Sequence, residues 1–168
     1  TRVKEESLGE IFGVSRTIIR RTLCRLAHER VAVFEPNRGA FVAEPDVSDA
    51  QQILDAGRLM ELAIVGKVAE RASSIKSEFK KLYELIEQEH KSSAAADKGT
   101  AIRLSGEFHL QLARLSGNKP LEGFLHSLVP QTSLIIALYQ FKEGSRCAID
   151  EHSRLLDALK LGDAALAK

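Results

Sequence analysis

The sequence predicts a mostly α chain: an N-terminal winged helix-turn-helix with a small β-hairpin, then an antiparallel all-α helical bundle. Three observations carry that prediction. A short apolar-periodic segment meets a longer one across Gly13-Val14, two short extended runs flank Pro36-Asn37-Arg38-Gly39, and from Ser48 onward apolar residues recur only at helical spacing.

Residues Glu5 to Phe12 form the first helix candidate, with Leu8 and Ile11 as its apolar positions, and Gly13 ends it in the left-handed conformation that glycine adopts most easily. Ser15 is the expected N-cap of a second helix reaching about Glu29. On that helix Ile19, Leu23, Leu26 and Ala27 share one stripe, which turns Arg16, Thr17, Arg20 and Arg21 away from the core. Val31 to Glu35 and Ala40 to Ala43 pair around the Pro36–Gly39 turn as a wing. Glu44-Pro45-Asp46 reads as a linker. The expected domains are 1–43, a linker over 44–47, and a helical body over 48–168.

In the body, a capping box at Ser48–Gln51 opens a helix to about Ala72, with Ile53, Leu54, Leu59, Met60, Ala63, Ile64 and Val68 as its stripe. Helices over about Ser77–His90 and Thr100–Leu115 are separated by a small polar loop, Ser92–Gly99. Ser116-Gly117-Asn118 is a stop, Pro120 a first-turn residue, and Pro130 is expected to divide segments near 120–129 and 131–141. A last clear helix spans Arg146–Leu161, and another starts at Asp163. The chain opens on Thr1 and stops within that helix, so both ends are expected to be clipped, with a first helix and part of the last one missing.

Composition agrees with helices. Of 168 residues 44% are hydrophobic but only 5% aromatic, without Trp, so Leu, Ala and Ile must build the core. The net charge of +1 is unevenly spread: residues 1–43 carry eight Lys/Arg against five Glu, and the rest sixteen against eighteen Asp/Glu. A basic head on a slightly acidic body suits polyanion contact by the head alone. Cys24 and Cys147 lack metal-ligand spacing and read as ordinary thiols of a reducing cytoplasm. No apolar run approaches the roughly 20 residues of a membrane span and no signal peptide is visible, so no membrane partner is expected.

The stretch Leu8 to Leu26, LGEIFGVSRTIIRRTLCRL, followed by Asn37-Arg38-Gly39, resembles the GntR family of bacterial transcription regulators, in its FadR subfamily. Phe108-His109, Ser116-Gly117-Asn118, Glu151-His152, Asp157-Ala158 and Gly162-Asp163 are similar to the skeleton of that subfamily's FCD ligand-binding domain. The resemblance implies a homodimer whose heads bind a palindromic double-stranded operator and whose bundle takes a small carboxylate. It maps DNA contacts onto Ser15, Arg16, Thr17 and Arg20, and onto Asn37, Arg38 and Gly39 at the wing tip. Three residues depart from the family pattern: Ile18 for Pro, Arg21 for Glu, which adds a positive charge to the set, and Glu6 for an Arg that touches DNA in many members.

For the body, the resemblance implies effector contacts at His109 and His152, and at Arg58, which with Glu61 is similar to the family's R…E pair on the first FCD helix but sits one place off the family spacing, where Gly57 stands. In most FCD domains three histidines and an Asp hold a divalent metal such as zinc, nickel or manganese. His109 and His152 match two of those histidines, Ser105 stands at the Asp position, and the third histidine is expected beyond Lys168. Glu107, two residues before His109, points elsewhere on the helix. Among the other histidines, His28 and His90 are expected exposed and His126 facing the bundle.

An enzyme is not expected: there is no H-E-x-x-H, nucleophile elbow or Gly-rich phosphate loop. The reading is a ligand-responsive DNA-binding regulator, a repressor. The competing one is a helical protein that binds metal or organic acid beneath a head that no longer reads DNA.

Overall fold

The computed structural model describes residues 1–139 and 145–161, with side chains at 1–139 and 150–160. The side chain of Cys147, the end of the segment expected to reach 141, and the Gly162-Asp163 pair with its following helix lie outside the described residues. The chain divides into two compact units, Thr1–Asp49 and Ala50–Lys168.

In the first unit α1 (Glu5–Phe12) and α2 (Arg16–His28) follow one another across Gly13, whose φ of 63° lets its N–H bond back to Glu10. A three-stranded antiparallel sheet has the order β1 (Arg2–Val3), β3 (Gly39–Val42), β2 (Ala32–Glu35). The hairpin register pairs Glu35 with Gly39 and Ala32 with Val42, while Val3 pairs with Ala40. The third strand was not expected; two residues are too few to show an alternating pattern. Ile19, Leu23 and Ala40 form the core, with Val3, Leu8, Val14 and Phe34 packed on it. Ile11, expected on the α1 stripe, is 72% exposed.

The second unit contains α3 (Val47–Arg71, which begins in the first unit), two short 3₁₀ turns, α4 (Phe79–Ala94), α5 (Lys98–Leu115), α6 (Lys119–Tyr139) and α7 (Ser145–Leu161). α4 packs against both α5 and α7, and α6 against α5. Ile64 and Val68 from α3, Leu82 from α4, Phe108 from α5 and Leu156 from α7 are fully buried among them.

Several expectations change here. α3 opens ahead of the proposed Ser48 box: its first residue is Val47, and Asp46 Oδ1 accepts the Asp49 N–H at 2.8 Å, the bond of an N-cap at Asp46. Leu59 is 70% exposed rather than part of the α3 stripe. The 92–99 loop shrinks to three residues: α4 runs to Ala94, and Asp97 caps α5 by accepting the Thr100 N–H at 3.1 Å. Pro130 does not divide α6. The carbonyl it leaves without an amide partner belongs to His126, which is exposed to solvent rather than facing the bundle, while the Gln131 side chain bonds the Ser127 carbonyl at 2.9 Å. Uninterrupted, α6 is long and apolar enough to cross a membrane by length and composition, with a mean hydropathy of 1.2, where no such run was expected. It carries buried Leu125 and Ile135 into the bundle core.

The stop at 116–118 is built with little tolerance. Gly117 takes φ 70°, Asn118 Oδ1 accepts the Leu121 N–H at 3.3 Å to open α6, and Arg71 from α3 donates to the Leu115 carbonyl at 3.2 Å. A Cβ on Gly117 would fall 1.8 Å from that guanidinium. Gly117→Ala is therefore expected to lose about 1–2 kcal/mol in urea unfolding, combining left-handed strain with displacement of the Arg71 cap, whereas Gly123→Ala, where a Cβ meets nothing within 4 Å, is expected to be neutral or stabilising.

Candidate nucleic-acid interface and effector cavity

The α2 surface follows from one packing decision. Ser15 caps the helix by accepting the Ile18 N–H at 3.4 Å, and Ile19 and Leu23 turn inward. Arg16, Thr17, Arg20 and Arg21 are thereby all exposed. Arg16 Nε donates to Glu5 Oε2 at 2.9 Å, Arg20 Nη1 to Glu5 Oε1 at 3.4 Å, and Arg16 Nη1 lies 3.6 Å from Glu6 Oε1. Exposed ion pairs of this kind contribute roughly 0–1 kcal/mol to stability, so their weight falls on where the guanidiniums sit. Arg21 has no partner among the described residues, and Arg25 pairs with Glu29 at 2.9 Å, off the Arg16/Arg20 group. At the wing, Asn37 and Gly39 take φ of 60° and 95°, and Arg38 bonds Glu35 while lying 5.2 Å over the Phe41 ring.

In the second unit α3, α5, α6 and α7 enclose a cavity of about 530 Å³. Its walls include Val65, Leu112, Val129 and Ile136, and its polar groups include Arg58, Glu61, Ser105, His109, His152 and Arg154. The sequence-marked Arg58, His109 and His152 thus meet at one place. Arg154, which also lines it, and Glu89, which lies behind His152, carry no family mark in the sequence, and Glu61 is marked there only through the family's pattern on the first helix of the body. Glu89 had a readable cue, since it continues the spacing of Leu82 and Ile86 and so falls on the buried side of α4.

The histidines are held by a chain of contacts. Glu89, 4% exposed, lies 3.0 Å from His152 Nδ1, and Phe108 stacks on the His152 ring at 4.3 Å. A buried carboxylate requires a donor, which places a proton on Nδ1, and in the neutral imidazole that leaves His152 Nε2 as an acceptor. His109 Nε2, 3.1 Å away, then donates to it. That leaves His109 Nδ1 a bare acceptor. It is buried and has no aligned hydrogen bond, although Glu61 Oε1 lies 3.0 Å from it. Lone pair against carboxylate is unfavourable, so Glu61 suits this position best when it carries a proton. Burial raises its carboxyl to about 7. Burial likewise lowers the His109 imidazole to about 3.

The donor set does not complete a metal centre. Two imidazole nitrogens converge, but no group of three or more His, Cys, Asp or Glu suited to a metal ion occurs among the described residues, and Ser105 supplies no carboxylate. Glu107 pairs with Arg114 at 3.2 Å, outside the site.

A family model described as "FCD domain" matches residues 52–168, and one described as "Bacterial regulatory proteins, gntR family" matches residues 1–42. The chain belongs to the GntR family, with an FCD domain. It is 23% identical to the HTH-type transcriptional regulator LutR of Bacillus subtilis, covering 97% of this chain and 82% of that protein. It is 27% identical to the Uxu operon regulator of Haemophilus influenzae over 90% of this chain, spanning only 56% of that longer protein. Among solved structures, E. coli McbR/YncC superposes with a TM-score of 0.81 at 23% identity, and a putative GntR regulator from Rhodococcus sp. RHA1 with 0.74 at 20%. Each alignment covers 99% of this chain and 79% of the other. Members of this family are DNA-binding transcription regulators, not enzymes.

The two cavity shifts act on stability in opposite directions. Glu61, raised from 4.5 to about 7, contributes stability present below pH 4.5 and lost as pH rises through 7. His109, lowered from 6.5 to about 3, contributes stability present above pH 6.5 and lost as pH falls towards 3. Urea unfolding of Glu61→Gln across pH 5 to 8 is expected to lack the descending limb near 7, leaving stability that rises to pH 6.5 and then levels.

Proposed function

We propose that the chain is an effector-responsive repressor that acts as a homodimer in the bacterial cytoplasm. The observation that carries this reading is the outward set Arg16, Thr17, Arg20 and Arg21 on a short helix whose other side is core. Arginine forks suit guanine O6/N7 and phosphate oxygens alike. Ser15, Asn37, Arg38 and Gly39 complete the proposed contact set, with the left-handed turn at the wing exposing backbone to the groove edge. Two-fold pairing of the protein matches a palindromic site. Exposed Phe124 and Leu138 on α6, 61% and 44% accessible, support a partner surface for a second copy.

The effector reading rests on the cavity. Arg58 and Arg154 line it and have no partner among the described residues, and His109 Nδ1 offers an unmet acceptor beside them. A small carboxylate carrying a hydroxyl matches that pairing of cations and acceptor. Such a ligand shifts DNA binding only through unequal affinity for two arrangements of the protein. The two imidazoles turn their Nε2 atoms on each other, and no third group joins them as a metal ligand among the described residues, so the anion rather than zinc, nickel or manganese is the proposed occupant.

In gel shifts on its own upstream DNA the full chain is expected to bind less tightly as salt rises. Arg16→Ala with Arg20→Ala should cut affinity at least tenfold and flatten the salt slope by about one unit for each phosphate no longer neutralised. Unchanged binding would remove the recognition-helix assignment. The carboxylates beside Arg16 favour a second reading, a head that no longer reads DNA, and retention of no duplex at low salt would establish it. Separately, a panel of small hydroxy acids is expected to raise the melting temperature of the wild-type protein and not of Arg58→Ala with His109→Ala. No shift with any member would dismiss the carboxylate.

A further inference from the structure

We propose that Glu6 is a specificity-determining residue that reads cytosine in the major groove beside the base read by Arg16. The proposal rests on α2 being the groove-reading helix.

The two carboxylates near Arg16 are not equivalent. Glu5 has 11% of its side chain exposed and touches both Arg16 and Arg20, at 2.9 and 3.4 Å. It is a brace, set behind the guanidiniums. Glu6 is 81% exposed and stands 3.6 Å from Arg16 Nη1, too far for a hydrogen bond. Its carboxylate makes only a long ion contact with Arg16 and stands out beside it in solvent.

A carboxylate carried towards DNA meets two environments. Against phosphate it is repelled, so it weakens binding to every duplex. Against base edges it can only accept, and among major-groove groups the cytosine N4 amino is the donor a Glu side chain pairs with. Successive bases lie about 3.4 Å apart along the axis. Groups 3.6 Å apart therefore address one G·C pair, with Arg16 on guanine O6/N7 and Glu6 on cytosine N4, or two neighbouring pairs. The charge that penalises all duplexes is best compensated where cytosine is offered, because the adenine N6 donor comes with an N7 lone pair that repels a carboxylate, which is discrimination by repulsion as well as attraction.

The test is selection from a random-sequence duplex library by the full-length chain, as wild type, Glu6→Gln, Glu6→Ala and Arg16→Ala, with enriched sequences compared position by position. The wild type should enrich a cytosine at one position per half-site, in the same pair as, or next to, the guanine whose preference Arg16→Ala loses. Glu6→Gln should move that position towards adenine, since an amide pairs with adenine N6/N7. Glu6→Ala should lose the preference there while binding unselected duplex more tightly. In the selected site, N4-methylation of that cytosine should weaken the wild type about fivefold or more and leave Glu6→Ala unaffected.

If Glu6→Ala enriches the same bases everywhere as the wild type, Glu6 is a counter-charge without a reading role, and the proposal falls while the helix assignment stands. If the wild type enriches no sequence at all, both fall together.

Discussion

A carboxylate sealed inside an apolar bundle has to find a donor, and Glu89 finds the Nδ1 of His152. The arrangement of the cavity follows from that requirement. In the neutral ring with its proton on Nδ1, His152 accepts at Nε2, so His109 donates there and is left with an unmet nitrogen facing Glu61. Phe108 stacked on the ring removes the remaining freedom to turn. Three side chains from three helices, His152 on α7, His109 on α5 and Glu61 on α3, are thereby oriented from one buried carboxylate on α4, a helix that is not among those that line the cavity.

Most of the fold could be read from the sequence because its elements are separated by residues with strong local preferences. Gly13, Ser15 and Gly117 each act within a few residues, and the structure uses all three as the pattern implies. The misreadings arose where a second local device competed or where tertiary surroundings decided. Asp46 caps α3 two residues ahead of the Ser48 box, and Asp97 supplied a cap that the polar run 92–99 had concealed. Pro130 was tolerated because the carbonyl it strands belongs to an exposed residue, a fact no local pattern carries.

The cavity was half legible. His109 and His152 stood out through resemblance to a family skeleton, and both line it. Arg154 gave no cue because one exposed arginine on a helix looks like any other. Glu61 was noted only for its family pattern and not for its chemistry, since its altered acidity depends on burial by helices distant in sequence.

Glu5 shows what a weak surface ion pair can do besides stabilise. Its two oxygens are divided between Arg16 and Arg20, which restricts both long side chains before any partner arrives. A free arginine side chain carries about 2 kcal/mol of rotamer entropy. Part of that freedom is given up as the head folds rather than on association. The two guanidiniums are also released by one carboxylate, so a phosphate that draws one away loosens the other, and the pair tends to engage as a unit.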